Sequence, residues 1–278
     1  AGLLDGVKES LESEGISVSV FDGVEPDPGT RIANECGEAA ISGNTDLIVG
    51  IGGGSSIDVA KGGALLATNE GNIVDYLGVD KVPRQCLPTI LIPTTSGTGS
   101  EVTRVLVVTD EDRTKQVVFS DYLFARVAII DPALTLSMPA VVTADTGIDA
   151  LVHAIESYVC KESGPFSDML AIQAITLIAE NLPKAFCKAS DLDARDKMAL
   201  ASCMAGLAFT SSGLGAVHAL SYPLDSEFGI SHGRSQATIL PYIIEFNIFG
   251  DIKKYAEIAR AMGEKVDEIS SIEATEKL

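Results

Sequence analysis

Asp149 and His153 are four residues apart within residues 145–156, where apolar residues recur at the spacing of an amphipathic helix. In a helix this spacing places both side chains on one face, one turn apart. A carboxylate and an imidazole held in this way can supply two ligands to a divalent metal ion. Short motifs of this kind are also common as ordinary hydrogen-bonded or exposed pairs, so the pair by itself leaves both interpretations open.

The chain contains three histidines, and the other two, His218 and His232, lie downstream of this pair in a region whose pattern predicts helices. Asp149 together with all three would form a four-ligand site of one oxygen and three nitrogens. Neutral imidazole is a good ligand for both Fe(II) and Zn(II). Three unrelated histidines, each buried separately in the core, are the alternative.

A glycine turn, residues 52–55, directly follows a short apolar strand predicted at 46–51 and leads into a helix predicted at 55–67. Glycines let backbone N–H groups approach an anion, and the positive end of the following helix favours a phosphate. The sequence is neither G-x-G-x-x-G nor a Walker A loop, and a tight turn without a ligand is the alternative. Asp58 falls just inside the helix, where it would cap the helix or meet a ligand hydroxyl.

A second polar segment, the hydroxyl loop of residues 94–101, follows another apolar strand predicted at 89–92. Its threonines Thr94, Thr95 and Thr98 could line a nucleotide groove at the carboxyl ends of parallel strands. A hydroxyl-rich turn without a ligand is the alternative here. Two such loops after neighbouring strands favour one shared ligand.

Alternation of strands and helices predicts a mostly parallel α/β sheet for residues 1–132, and helices alone are predicted for residues 133–278. Before the boundary, further helices are predicted at 3–14 and 30–43, further strands at 16–21 and 127–130, and a hairpin at 104–109 with 116–120. After it, helices are predicted at about 141–160, 167–180, 192–210, 213–222, 234–248 and 252–262.

The composition excludes several classes of function. A net charge of −19 and a pI near 4.4 argue against nucleic acid and anionic membranes as partners. No apolar run has the length of a membrane span, and the first residues do not resemble a signal peptide, so a cytoplasmic protein is expected. The five cysteines include no C-x-x-C, which favours reduced thiols. No constellation for acyl transfer or glycoside cleavage was found.

Four segments together resemble the iron-containing (group III) alcohol dehydrogenases: GGGSSIDVAK at 52–61, PTTSGTGSEVT at 93–103, TGIDALVHAIE at 146–156, and His218 followed by SHG at 231–233. Their order and spacing agree with the family over nearly the whole chain. The resemblance implies a fold like dehydroquinate synthase, with an N-terminal dinucleotide-binding α/β domain, a C-terminal all-helical domain and the active site between them.

The resemblance also implies site residues and chemistry. Its metal ligands fall on Asp149, His153, His218 and His232, the pyrophosphate loop on Gly53, Gly54 and Ser55, and the adenosine and ribose side on Thr94, Thr95, Thr98 and Lys115. The cofactors would be NAD or NADP and one divalent metal, with Fe(II) favoured and Zn(II) as the alternative. The partner would be a small alcohol or aldehyde, and a homo-oligomer is expected by analogy.

Three departures from the family pattern stand out. Tyr222 occupies a position where many members have a further histidine, so the tyrosine hydroxyl or water would replace that imidazole in proton transfer. Relative to a full member, the chain is expected to lack the first strand and the last helices, and so to be truncated at both ends. Three alternatives stay open: a maleylacetate-type reductase without metal, a dehydroquinate-synthase-like lyase, and a nucleotide-binding fragment without turnover.

Overall fold

The computed structural model describes residues 3–278, and its first part alternates helices with short strands. The helices are α1 (Leu3–Ser13), α2 (Thr30–Ser42) and α3 (Gly54–Leu66). The strands are β1 (Ile48–Gly52), β2 (Gly78–Val79), β3 (Thr89–Pro93), β4 (Val105–Thr109), β5 (Lys115–Phe119) and β6 (Val127–Ala128).

These strands form two sheets of three strands. In the first, β1, β3 and β6 lie side by side and parallel, with Ile48 opposite Thr89 and Gly52 opposite Pro93. In the second, the order is β2-β5-β4, and the predicted hairpin of β4 with β5 is confirmed as antiparallel. The prediction of one mostly parallel sheet is therefore too simple, because the hairpin pairs with β2 and not with the parallel core strands.

The strand predicted at residues 16–21 is wrong. This segment is irregular, and Ile16 and Val20 are 50% and 49% exposed. An alternating pattern holds a strand only where one face is buried and a partner strand satisfies the backbone. This segment has neither in the described part of the chain.

From residue 140 onwards the described chain is helical. The helices are α4 (Ala140–Val159), α5 (Pro165–Cys187), α6 (Leu192–Ser212), α7 (Ala216–Phe228), α8 (His232–Asn247), α9 (Ile252–Ala261) and α10 (Ser271–Thr275). The predicted ends of α5 and α7 are too early, since both helices continue past an internal proline, Pro183 and Pro223. Beyond Pro183, Ala185 is packed into the core shared with α4 and α6, and this packing outweighs the hydrogen bond lost at the proline.

Close glycine contacts hold the site-bearing elements together. A Cβ added to Gly99 would lie 2.7 Å from the Gly206 Cα atom, so the hydroxyl loop touches the backbone of α6. A Cβ on Gly233 would lie 1.9 Å from the carbonyl oxygen of Asp145, so the start of α8 touches α4. Larger side chains at Gly99 or Gly233 would force these pairs of elements apart.

Among the residues that the structure describes, no single helix is both long and apolar enough to cross a bilayer. By length and composition alone, α6 and α7 would qualify as a pair, with a bend of 110° between them.

Candidate metal centre and cofactor groove

The four predicted metal ligands meet in one place, which we call the ligand cluster. Asp149 and His153 project from α4, His218 from α7, and His232 is the first residue of α8. The Nε2 atom of each histidine lies 3.7 Å from Oδ1 of Asp149. Asp149, His153 and His218 are fully buried, and the side chain of His232 is 26% exposed.

These separations and donor types fit a divalent ion. Nitrogen and oxygen ligands lie about 2.0–2.2 Å from Zn(II) or a similar ion, so neighbouring ligands of a tetrahedral site are about 3.3–3.6 Å apart. The observed 3.7 Å is close to this spacing. One carboxylate and three imidazoles also match the donor set that Fe(II) and Zn(II) accept.

Two further carboxylates orient the imidazoles. Oε2 of Glu156 lies 2.6 Å from Nδ1 of His218, and Oδ2 of Asp225 lies 2.6 Å from Nδ1 of His232. Each carboxylate accepts the Nδ1 proton, so in the neutral imidazole, which is the form that binds a metal ion, the lone pair of Nε2 faces the cluster. The backbone N–H of Val217 donates to Glu156 at 2.6 Å and holds that carboxylate in place.

Neither of these carboxylates was predicted from the sequence. Glu156 could have been predicted from the sequence, because it lies three residues after His153 on the same helix and inside the quoted motif. Asp225 could not, because its contact with His232 spans the break between α7 and α8.

The charges in the ligand cluster favour an ionised aspartate beside a neutral imidazole. Burial alone would raise the pKa of Asp149, but the three neighbouring imidazoles, with His153 contributing most, hold it well below its usual range. Burial lowers the pKa of His153 to about 4. Burial would also lower the pKa of His218, but the nearby carboxylates of Asp149 and Glu156 raise it to about 9.

The glycine turn joins the end of β1 to the start of α3, with Gly53 at the N-cap position. In the described structure no side chain caps this helix, which leaves its first N–H groups available to an anion. The hydroxyl loop packs directly against the turn, because a Cβ on Gly54 would lie 2.6 Å from Cγ2 of Thr98. The N–H group of Thr94 donates to the carbonyl of Gly52 at 2.8 Å.

One cavity of about 550 Å³ connects the glycine turn with the ligand cluster. The sequence-predicted residues that line it are Gly54, Ser55, Asp58, Thr98, Lys115, Tyr222, Asp149, His153, His218 and His232. Within the described range, Gly53 of the glycine turn and Thr94 and Thr95 of the hydroxyl loop are outside this lining.

Two of these lining residues also bind other parts of the chain. The Asp58 carboxylate accepts from Oγ of Ser100 at 2.5 Å and from the N–H of Val107 at 3.0 Å, so it does not cap α3. Nζ of Lys115 lies 3.0 Å from Oδ2 of Asp225 and 3.2 Å from Oδ1 of Asp27. Lys115 therefore links β5 on one side of the cavity to α7 on the other.

Tyr222 forms part of the wall beside the ligand cluster. Its ring stacks on that of His232 with 5.4 Å between centroids, and Nζ of Lys115 lies 5.7 Å from its centre. Burial, followed by the charge of Asp149, raises the pKa of Tyr222 to about 12, so its hydroxyl stays protonated at neutral pH.

Comparison with known families covers both halves of the chain. The model described as iron-containing alcohol dehydrogenase matches residues 1–132, and the one for the C-terminal part of the Fe-containing alcohol dehydrogenase family matches residues 143–278. The chain belongs to the iron-containing alcohol dehydrogenase family. The family and the two-part fold predicted from the sequence are thereby confirmed.

Individual relatives support this membership. The chain is 47% identical to long-chain-alcohol dehydrogenase 1 of Geobacillus thermodenitrificans, over 99% of this chain and 70% of that protein. It is 41% identical to the NAD-dependent methanol dehydrogenase of Bacillus methanolicus, over 99% and 73% of the two chains. A crystal structure of 1,3-propanediol oxidoreductase superposes with a TM-score of 0.96 at 40% identity, over 100% of this chain and 73% of that one.

This membership makes the chain an oxidoreductase of the alcohol dehydrogenase type. Hydride transfer between a nicotinamide cofactor and an alcohol or aldehyde, as predicted from the sequence, is confirmed at this level.

Proposed function

We propose that this chain interconverts a small primary alcohol and its aldehyde, with one divalent ion held by Asp149, His153, His218 and His232. The observation that carries the proposal is the shared cavity, which is lined both by the ligand cluster and by Gly54 and Ser55 of the glycine turn. A metal site and a phosphate site that open into the same cavity can bind a substrate oxygen and a dinucleotide close to each other. We also propose residues 1–132 as the cofactor-binding domain and residues 133–278 as the metal-binding domain.

A bound ion and a bound cofactor would supply the reactive chemistry. When bound, a divalent ion supplies Lewis acidity toward the substrate oxygen, and a nicotinamide supplies the hydride acceptor or donor. The ligand set supports Fe(II), with Zn(II) as the alternative, and it opposes a reductase that works without metal. The names of the relatives support NAD as the cofactor, with NADP to be compared directly.

The chain's own residues would bind and orient these groups. The N–H groups of Gly54 and Ser55 at the start of α3 would bind the pyrophosphate, with Gly53 shaping the turn. The Thr98 hydroxyl would add a further hydrogen bond, while Thr94 and Thr95 support the turn from behind. Lys115 would donate to a ribose hydroxyl, and Asp58 would keep the hydroxyl loop in place through Ser100.

On the substrate side, Phe209 and Leu214 line the cavity next to His153 and His218. Their apolar surfaces would pack against the carbon chain of the alcohol and exclude water from the reacting carbon. The phenol of Tyr222 would hold or transfer a proton at this wall, in the role the family resemblance gives to histidine. A homo-oligomeric state and a cytoplasmic location remain predictions from the sequence.

The test is removal and replacement of the metal. Purified protein is assayed for its metal content and for alcohol-dependent NADH formation on a panel of alcohols, with NAD and NADP in parallel. Dialysis against a chelator should abolish turnover, and Fe(II) or Zn(II) should restore it. Turnover that is unchanged after treatment with the chelator would contradict the metal site. Nucleotide binding without turnover of any alcohol or aldehyde would favour a nucleotide-binding fragment without activity.

The Tyr222 part of the proposal needs its own variant. Tyr222→Phe keeps the ring on His232 and removes only the hydroxyl. We expect turnover to fall about tenfold or more, the low end of what a positioned acid or base contributes, with unchanged metal content. An unchanged turnover rate would show that the Tyr222 hydroxyl takes no part in proton transfer.

A further inference from the structure

Gln236 lies in the middle of the ligand cluster, one helical turn after His232, and it is completely buried. Its amide nitrogen Nε2 is 2.9 Å from Oδ1 of Asp149, 2.9 Å from Nε2 of His218 and 3.0 Å from Nε2 of His232. Its amide oxygen Oε1 is buried and has no hydrogen-bond partner within residues 3–278. The side chain therefore faces three of the four proposed ligand atoms with one of its two polar atoms unsatisfied.

The proton count shows that this amide orientation is incomplete. A glutamine amide has two N–H protons, and here three polar atoms surround its nitrogen. Glu156 and Asp225 hold the Nδ1 protons of the two histidines. Each Nε2 then either carries a lone pair, which makes three acceptors for two protons, or carries a second proton, which places a donor against the amide N–H₂ group. At least one of the three contacts must go without a hydrogen bond.

A bound cation would make this orientation unfavourable. The lone pairs of the Asp149 oxygen and of the two imidazole nitrogens would then point at the ion and be lost as acceptors for the amide. The N–H₂ group, which carries partial positive charge, would face a cation at close range. A rotation of 180° about the last side-chain bond exchanges Nε2 and Oε1 and removes both problems.

We propose that Gln236 is a fifth ligand of the divalent ion and binds it through Oε1. This inference rests on the proposed function, since it requires the ion at the ligand cluster. It satisfies the buried oxygen, which would otherwise cost the free energy of an unpaired polar group. A set of two oxygens and three imidazole nitrogens also suits Fe(II) better than Zn(II), which is mostly four-coordinate in proteins.

The test uses Co(II) as a spectroscopic probe in the full chain after metal removal by a chelator. The variants are Gln236→Leu, which deletes both polar atoms, and Gln236→Glu, which keeps the shape and supplies an anionic oxygen. Gln173→Leu on the exposed side of α5 is the matched control. Far-ultraviolet circular dichroism verifies that each variant is folded, and the isosteric Gln236→Glu keeps the test valid if Gln236→Leu does not fold.

We expect the visible Co(II) bands of both Gln236 variants to differ from those of the wild type, because the bands report directly on the ligands. The Co(II) dissociation constant, measured by chelator competition, should rise about 10- to 100-fold in Gln236→Leu and fall about tenfold or more in Gln236→Glu. The Gln173→Leu control should match the wild type in both measurements.

Two results would overturn the proposal. One is that the Co(II) bands of the wild type and of the folded Gln236 variants superimpose, and the other is that Gln236→Glu binds Co(II) no more tightly than the wild type. Either result with one Co(II) bound per wild-type chain would leave the metal site itself intact. A wild-type protein that binds no Co(II) would instead contradict the proposed function as well.

Discussion

The glycine turn and the ligand cluster line the same cavity, but they are built from different parts of the chain. The glycine turn presents backbone N–H groups from one continuous segment, residues 52–55, that follows directly from a strand. The ligand cluster presents side chains from three separate helices, and other side chains hold two of its imidazoles in place. The turn is therefore a product of local sequence, while the cluster depends on how α4, α7 and α8 pack.

The two regions also differ in how they manage buried charge. Lys61, behind the glycine turn, donates to the carbonyl oxygens of Ser100, Thr103 and Val105 at 2.5, 3.0 and 2.8 Å, so backbone oxygens surround its ammonium group. The ligand cluster collects Asp149, Glu156 and Asp225 around three imidazoles. Buried charges in the first region hold the loops together, and those in the second supply or orient ligands. Changes in the two regions should therefore affect different measurements.

The largest effect should come from Asp149→Asn. All three histidines lie around this one carboxylate oxygen, and the substitution removes the negative charge that offsets the ion. We expect metal affinity to fall by more than about 100-fold, beyond the range for residues that only support ligands, with loss of turnover. Metal content and chelator competition measure it, with the exposed Asp193→Asn as control. Stoichiometric metal in the variant would show that the ion binds elsewhere.

Lys61→Met should affect stability and leave the metal site alone. Burial lowers the pKa of Lys61 to about 8, so the group is still an ammonium at pH 7. Its loss leaves several buried oxygens without their donor and the buried Asp58 without its nearby positive charge. We expect the free energy of unfolding to fall by about 3 kcal/mol in urea titrations. Metal affinity should be unchanged. Lys8→Met on the exposed face of α1 is the control, and equal stability of the two variants would contradict this role.

Asp225→Asn and Glu156→Gln sharpen the comparison, because both carboxylates orient an imidazole but only Asp225 also binds Lys115. Each variant should raise the metal dissociation constant about 10- to 100-fold. Only Asp225→Asn should also raise the cofactor dissociation constant, since Lys115 then keeps Asp27 as its single anionic partner. Calorimetric titration with metal and with NAD separates the two effects. Equal cofactor dissociation constants in the two variants would show that the contact of Lys115 with Asp225 does not link the metal site to cofactor binding.

The smallest effect is expected at the glycine turn. In Gly54→Ala the new Cβ would lie 2.6 Å from Thr98, whereas in Gly53→Ala the nearest atom, on Thr95, is 3.4 Å away. Displacing Thr98 should weaken cofactor binding about tenfold, as expected for an overpacked site, and Gly53→Ala should weaken it less. Metal affinity should be the same in both. A larger loss in Gly53→Ala would mean that the cofactor itself approaches Gly53 more closely than Gly54.

Several features could be predicted because they depend on neighbouring residues. The hairpin of β4 and β5, the turn from β1 into α3, and the pairing of Asp149 with His153 on one face of α4 all follow from local periodicity and from glycine. The features that were predicted wrongly depend on contacts with residues far away in the sequence. The apolar alternation at residues 16–21 has no sheet to join, and Pro183 and Pro223 do not end their helices because packing supports the turns beyond them.

The sequence by itself determined which groups are available: one glycine turn beside a hydroxyl loop, and three histidines with an aspartate one helical turn before the first of them. Only the tertiary structure decided that Glu156 and Asp225 hold the Nδ1 atoms of two imidazoles, that Lys115 reaches Asp225, and that Gln236 faces the same point. The physical reason is that a helix fixes the directions of its own side chains through backbone hydrogen bonds. Which side chains meet between helices depends on the packing of the whole core.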